Sequence, residues 1–271
     1  MNTNHQKLLN NFEILKLKKF KDYYPNYIEL LSKNEKSLTE ILIDLTEKEI
    51  EYQSELKFKR AVNSARFPKI KYLHDFDFMF QPSINQQEIL TLKSMHFLED
   101  SINICFLGNS GVGKTHLAIS LGIEACKQNI KTRFYTFKEL IDLLTVSDSK
   151  GIINKTLKQL SRIELLIIDE IGYTPITKEQ ADLFYQLMSL RYEWKSTIIT
   201  TNIPFSSWGE SFSNKIVSAA IIDRLVHHSK VFKITGESYR LKDYKTEKSL
   251  NIRQSKPAKK RHFQPAIKQH F

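Results

Sequence analysis

Gly108-Asn109-Ser110-Gly111-Val112-Gly113-Lys114-Thr115 sets three glycines, an ammonium and a hydroxyl at a spacing suited to phosphate. Glycines let the backbone curl so that successive N–H groups converge on an anion. A helix opening at Lys114 adds unpaired amides and the positive end of its dipole. Lys114 can reach the outer phosphates of a nucleotide, and the Thr115 hydroxyl can ligate Mg²⁺. The context gives the pattern its weight, because an apolar run at Ile102–Leu107 reads as a strand before it and a helical pattern from Lys114 to Gln128 follows. His116 extends the nucleotide-contacting stretch. Its imidazole, in a helical segment, reads as a packing or surface group rather than a metal ligand.

A second half-site lies in Leu165-Leu166-Ile167-Ile168-Asp169-Glu170. Four apolar residues running into two acids describe a buried strand that surfaces at its C-terminal edge. Asp169 can hold the Mg²⁺ shell, and Glu170 can polarise a water for attack on the γ-phosphate. An Asp-Glu pair favours hydrolysis over transfer to a bound acceptor, so the expected reaction is ATP hydrolysis with ATP and Mg²⁺ bound. Asn202 closes Thr200-Thr201-Asn202, where its amide can orient the attacking water. Arg224 stands in the mostly apolar stretch Ala219–Leu225. It is either a solvated edge or an arginine finger for the nucleotide of a neighbouring subunit. Arg240 follows the final predicted strand and can reach the nucleotide of its own chain.

These residues need a scaffold, and the chain supplies one. Strands are predicted at Ile102–Leu107, Thr132–Phe137, Leu165–Asp169 and Ser196–Thr200, separated by helices. Near-continuous apolar strands alternating with helices predict an α/β fold, a parallel sheet covered by helices on both faces. Residues 5–66 carry helical spacing without glycine. Pro25 is expected to interrupt them, and Ser37 with Glu40 should form a capping box. The expected organisation is a small all-helical domain over 1–68, a linker and leading helix over 69–101, the ATPase domain over 102–245, and a basic tail over 246–271. The aromatic run from Tyr72 to Phe80 is expected to pack on the next domain or to border a base pocket.

The 271 residues carry a formal charge of +11, with 41% hydrophobic residues, enough for a core. The charge is clustered: eight Lys/Arg against one acid from Lys245 onward, and six Lys/Arg without an acid from Lys57 to Lys71. Two basic clusters flanking an ATPase core point to nucleic acid, with Lys57, Lys59, Arg60 and Arg66 as candidate phosphate contacts. Cys105 and Cys126 match no metal or redox spacing and read as core residues. No apolar h-region opens the chain and no stretch approaches ~18 apolar residues. The expected location is the reducing cytoplasm, without membrane contact.

The run from Asp75 to Arg240 resembles the IstB-type transposition helper ATPases, relatives of the DnaC helicase loaders. The resemblance is carried by Gly-Val-Gly-Lys-Thr-His-Leu-Ala (111–118), Leu-Ile-Ile-Asp-Glu-Ile-Gly-Tyr (166–173), Thr-Thr-Asn (200–202), Asp-Arg-Leu-Val-His-His (223–228) and Gly-Glu-Ser-Tyr-Arg-Leu (236–241). It implies a P-loop AAA+ domain, an ATP-dependent homo-oligomer on double-stranded DNA, and a cognate transposase that the protein delivers to target DNA and stimulates. By the same resemblance Lys114 and Thr115 match Walker A, Asp169 and Glu170 Walker B, Asn202 sensor 1, Arg224 the trans-acting arginine and Arg240 sensor 2. The alternative is a replicative helicase loader of the DnaC type, which shares this core. A small-molecule P-loop kinase is disfavoured by Glu170, Asn202 and Arg224 together.

Overall fold

The computed structural model describes residues 3–33 and 35–242. The basic tail expected over 246–271 lies outside the described residues. Three helices open the chain: α1 (Thr3–Ile14), α2 (Lys18–Ser32) and α3 (Leu38–Ala65). Pro25 does not interrupt them but sits inside α2. The breaks fall instead at Lys16, which turns left-handed at φ 59°, and between α2 and α3. The Ser37–Glu40 capping box forms as its spacing requires, with Glu40 N–H on Ser37 Oγ and Ser37 N–H on the Glu40 carboxylate. Tyr27, Ile41 and Leu45, with Phe20 and Leu30 against them, make the small core of this unit. Helix α3 stops where Arg66 turns left-handed at φ 60°, ahead of Phe67-Pro68.

After a 3₁₀ turn at Leu73–Asp75 and the short α4 (Gln86–Thr91), strands and helices alternate. They are β1 (Asn103–Gly108), α5 (Lys114–Lys127), β2 (Thr132–Thr136), α6 (Phe137–Ser149), α7 (Ile153–Ser161), β3 (Leu165–Ile171), α8 (Lys178–Arg191), β4 (Ser196–Thr201), α9 (Trp208–Ser211), α10 (Lys215–Val226) and β5 (Ser229–Ile234). Phe137, expected to end a strand, opens α6 because Thr136 caps it and Glu139 completes the box. The sheet order is β2-β3-β4-β1-β5, every pairing parallel.

The continuous apolar strands are explained by burial on both faces. Along β3, Leu165 and Ile167 pack into the core with α5, while Leu166 and Ile168 pack into the core with α6, α8 and α10. Cys105 is buried on β1, where burial pushes its thiol up to about 12, and Cys126 is buried on α5. Among the described residues no helix is long and apolar enough to cross a membrane. Parallel strands bring the ends of β1, β3 and β4 to one edge of the sheet, so the polar residues that close them meet there.

Candidate nucleotide site

The loop after β1 is shaped by contacts that exclude larger residues. Gly111 at φ 81° would place a Cβ 2.0 Å from Ser238 Oγ, and Gly113 at φ 100° would place one 2.5 Å from the Phe76 ring. The loop is therefore held from two sides, by the 235–242 segment and by the aromatic linker. Tyr239 N–H donates to the Gly111 carbonyl at 2.9 Å. Lys114 opens α5 and is only 7% exposed; its ammonium donates to the Gly108 and Asn109 carbonyls, each at 2.7 Å. Burial holds its pKa below the ordinary lysine value, with Arg240 adding to the fall and Asp169 and Glu170 opposing it. A buried cation in that condition is matched by an anionic ligand.

Thr115 lies one residue on, and its hydroxyl donates to Asp169 Oδ1 at 2.8 Å, with Oδ2 at 3.0 Å. Asp169 also accepts from Thr200 Oγ1 at 2.5 Å. Burial raises the Asp169 pKa above the usual carboxylate range, although both hydroxyls pull it down. Thr200 has a second task, since its oxygen accepts the Glu170 backbone N–H at 2.9 Å. Glu170 needs that anchor: it adopts φ 63° at a register shift between Ile168 and Ile171, a conformation costly to a residue with a Cβ. The irregularity turns Glu170 out of the sheet, so that it is exposed between buried neighbours.

These groups line one cavity of about 540 Å³, with Ser110, Gly111, Gly113, Lys114, Thr115 and His116 on one side and Glu170, Asn202 and Arg240 on the other. That volume suits a nucleotide-sized ligand. The remaining wall is the linker and the segment after β5: Lys71, Asp75, Phe76, Asp77 and Tyr239. Of the residues expected from the loop pattern, Gly108, Asn109 and Val112 lie outside this lining; Val112 is buried, and Gly108 and Asn109 act through the carbonyls that hold Lys114. His116 reaches the cavity wall while its Nε2 is 2.9 Å from the Tyr72 carbonyl.

The donor set fits a magnesium nucleotide. Thr115 and Asp169 offer hard oxygen ligands, and among the described residues no three His, Cys, Asp or Glu side chains cluster to hold a metal alone. Mg²⁺ is typically bound by one or two protein oxygens together with substrate phosphates. Asn202 Oδ1 is buried and has no partner, which marks an acceptor aimed at something the chain itself does not supply.

Two expected groups lie elsewhere. Arg224 is not among the cavity's residues; it sits on α10 with its guanidinium 4.6 Å from the Tyr185 ring centroid and Nη1 on the Ala220 carbonyl at 3.1 Å. Lys57, Lys59, Arg60 and Arg66 are exposed along α3 and its cap, Lys59 paired to Glu55 at 2.5 Å. Thr200, Asp77 and Tyr239 were not singled out from the sequence. The signal for Thr200 was available: three polar residues, Thr200-Thr201-Asn202, close an otherwise apolar strand.

With this geometry in hand, the comparisons with known proteins are specific. The sequence model of the family described as IstB-like ATP binding protein matches residues 10–247. The chain is 45% identical over 244 residues to the ATP-binding protein of insertion sequence IS232 from Bacillus thuringiensis subsp. berliner, covering 90% of this chain and 98% of that one. It is 38% identical over 229 residues to the ATP-binding protein of insertion sequence IS21 from Pseudomonas aeruginosa, covering 84% and 86%. Among solved structures it is similar to AMPPCP-bound DnaA from Aquifex aeolicus, with TM-score 0.53, 19% identity, and 71% and 58% of the two chains covered. It is also similar to DnaI, with TM-score 0.51, 20% identity, and 61% and 91% covered. These two likenesses concern the fold, an α/β architecture with a parallel sheet, preceded here by helices.

Proposed function

The chain belongs to the IstB-like ATP binding protein family and is a P-loop ATPase, and we propose that it serves a transposase as an ATP-dependent DNA-binding helper. In this reading it assembles on target DNA as a homo-oligomer, recruits the cognate transposase and stimulates transposition, with ATP hydrolysis regulating the assembly. The observation that carries the proposal is the near end-to-end match to an insertion-sequence ATP-binding protein, combined with a nucleotide cavity assembled around Lys114, Asp169 and Glu170.

The chain's own groups divide the chemistry among them. Lys114 exchanges loop carbonyls for phosphate oxygens and offsets their charge. Mg²⁺, held through Thr115 and Asp169, neutralises phosphate charge when bound. Glu170, exposed at the strand end, takes the proton of the attacking water. Asn202, whose Oδ1 lacks an internal partner, orients that water, and Arg240 faces the phosphates from the segment after β5. Arg224 faces the nucleotide of a second copy, a role supported by its absence from the lining of its own cavity. A separate cation supplied from a neighbour would make hydrolysis depend on assembly.

The test is the affinity for labelled duplex DNA with ATP against ADP, measured with the full chain and Mg²⁺. Tighter binding with ATP, together with pull-down of a transposase of the insertion-sequence type, supports the helper role. Equal affinity in both nucleotides refutes the switch.

A further inference from the structure

A groove of about 660 Å³ runs along the open edge of β2 and shares no lining residue with the nucleotide cavity. Its walls include Arg66 at the cap of α3, Lys131 and Arg133 around β2, and Gln159 of α7. The acid among its lining residues, Glu139, is engaged by its own helix, accepting the Thr136 N–H at 2.9 Å. Among the described residues none of Arg66, Lys131 and Arg133 is ion-paired, whereas Lys59, Lys127 and Lys138 each pair with a carboxylate. Arg133 is positioned rather than loose. Its Nη1 donates to the Ser64 carbonyl at 2.7 Å, its guanidinium lies 5.4 Å from the Tyr135 ring centroid, and its Nε is buried without a partner. A guanidinium held at Nη1 and against a ring, with no carboxylate partner, is a preorganised donor for an anion that enters the groove.

We infer that this groove holds phosphates of the DNA backbone, with Arg133 as the fixed contact and Arg66 and Lys131 at the rim. The inference rests on the DNA-binding part of the proposed function and names a site for it on the β2 edge. Two observations favour a nucleic-acid backbone over an acidic peptide. Exposed Lys57 and Arg60 stand seven and four residues ahead of Ser64 in α3, on helical turns that lead toward the groove, so the cationic track continues beyond it. Of the apolar residues that line the groove, Phe134, Leu160 and Ile163 are buried in the core, which leaves only part-buried Tyr135 and Leu143 to meet a peptide side chain. A track of this kind positions DNA without reading its sequence.

The experiment is fluorescence anisotropy of the full chain on a labelled random-sequence duplex, with ATP and Mg²⁺, across salt concentrations. The variants are the Arg66→Gln/Lys131→Gln double substitution and, separately, Arg133→Gln and Arg133→Lys, each checked for an unchanged melting temperature. Losing two phosphate contacts should lower the salt slope by about 1.8 and the affinity at ~0.1 M salt by roughly 60-fold. Arg133→Lys, which keeps the charge, should fall between wild type and Arg133→Gln. If wild type binds duplex and the double variant binds equally with the same slope, the groove is not the contact, although the helper role survives. If wild type binds no duplex with ATP and Mg²⁺ at any salt concentration, the helper role fails and the groove inference with it. If the double variant keeps duplex binding but loses an acidic probe such as poly-glutamate, the groove is a peptide site and the inference is overturned.

Discussion

Replacing Thr200 by Val tests the positioning of Glu170 at close to constant volume. The Thr200 hydroxyl makes two contacts at once, donating to Asp169 at 2.5 Å and accepting from the Glu170 N–H at 2.9 Å. Thr200 is fully buried, so no water is positioned to replace them. The carboxylate contact is charge-assisted, worth about 1.5–3 kcal/mol, and a buried N–H left without a partner costs about 1–3 kcal/mol. The expected loss is therefore about 2.5–6 kcal/mol, lowering the melting temperature by roughly 5–24 °C at the 2–4 °C per kcal/mol of a domain this size. Activity should fall by a separate route. Without its anchor Glu170 is released from φ 63°, so kcat should drop by at least ~10-fold while nucleotide binding through Lys114 persists. Thr200→Ser keeps the oxygen and should recover most of kcat. The assay is steady-state ATPase with a thermal melt on the same preparations. A Thr200→Val protein with wild-type kcat and melting temperature would refute the bridging role.

Three further outcomes follow from the geometry. Arg224→Ala should bind nucleotide normally but lose the rise of specific activity with protein concentration, and mixing it with an equally inactive Lys114→Ala chain should restore turnover; a mixture no better than its parts would place Arg224 outside any shared site. Asp169 has a folded-state pKa above its unfolded value, so its contribution to stability is present at low pH and lost as pH rises through the raised folded pKa. Since Mg²⁺ needs the ionised carboxylate, the melting-temperature gap between protein with and without Mg²⁺ and a non-hydrolysable nucleotide should widen as pH rises through that range, and a pH-independent gap would count against Asp169 as the ligand. Arg191→Met removes the donors to Leu160, Ile163 and Ser196 carbonyls and to Thr197 Oγ1, and should cost at least ~3 kcal/mol in urea unfolding; a smaller loss would show that those acceptors find other partners.

What could be read ahead of the structure was governed by locality. The P-loop, the apolar strand into Asp169 and the Ser37 cap are written within a few residues each, because a turn, a strand end and a helix start are local solutions. The fold class followed from strands apolar on both faces. Pro25 misled because a helix can continue past a proline when its neighbours hold it, and the true breaks at Lys16 and after Ser32 carry no glycine or proline. The cavity's second wall was the least legible part. Phe76 packs near the P-loop only because Gly113 leaves room, and Tyr239 N–H reaches the Gly111 carbonyl across more than a hundred residues of chain. Arg191 was equally hidden: it is 1% exposed with its pKa lowered to about 9 by burial, yet nothing around it in sequence marks it as a core residue.

The same contacts bear on how a nucleotide would be felt by the rest of the molecule. Most of the site's polar groups already have internal partners: Lys114 on two loop carbonyls, Thr115 and Thr200 on Asp169, and the Glu170 N–H on Thr200. Binding phosphate and metal therefore exchanges hydrogen bonds and adds few, and the net gain must come from charge, which Lys114 and Asp169 hold under burial. Such an exchange moves the loop and the end of β3 together. The loop is in turn tied to 235–242 through Gly111, Ser238 and Tyr239, and that segment to the linker through the Tyr239 hydroxyl on the Asp77 carbonyl and Gln81 on the Glu237 carbonyl. A physical chain of contacts thus joins the phosphate cradle to the linker that leads back to α3, the helix whose cap borders the basic groove.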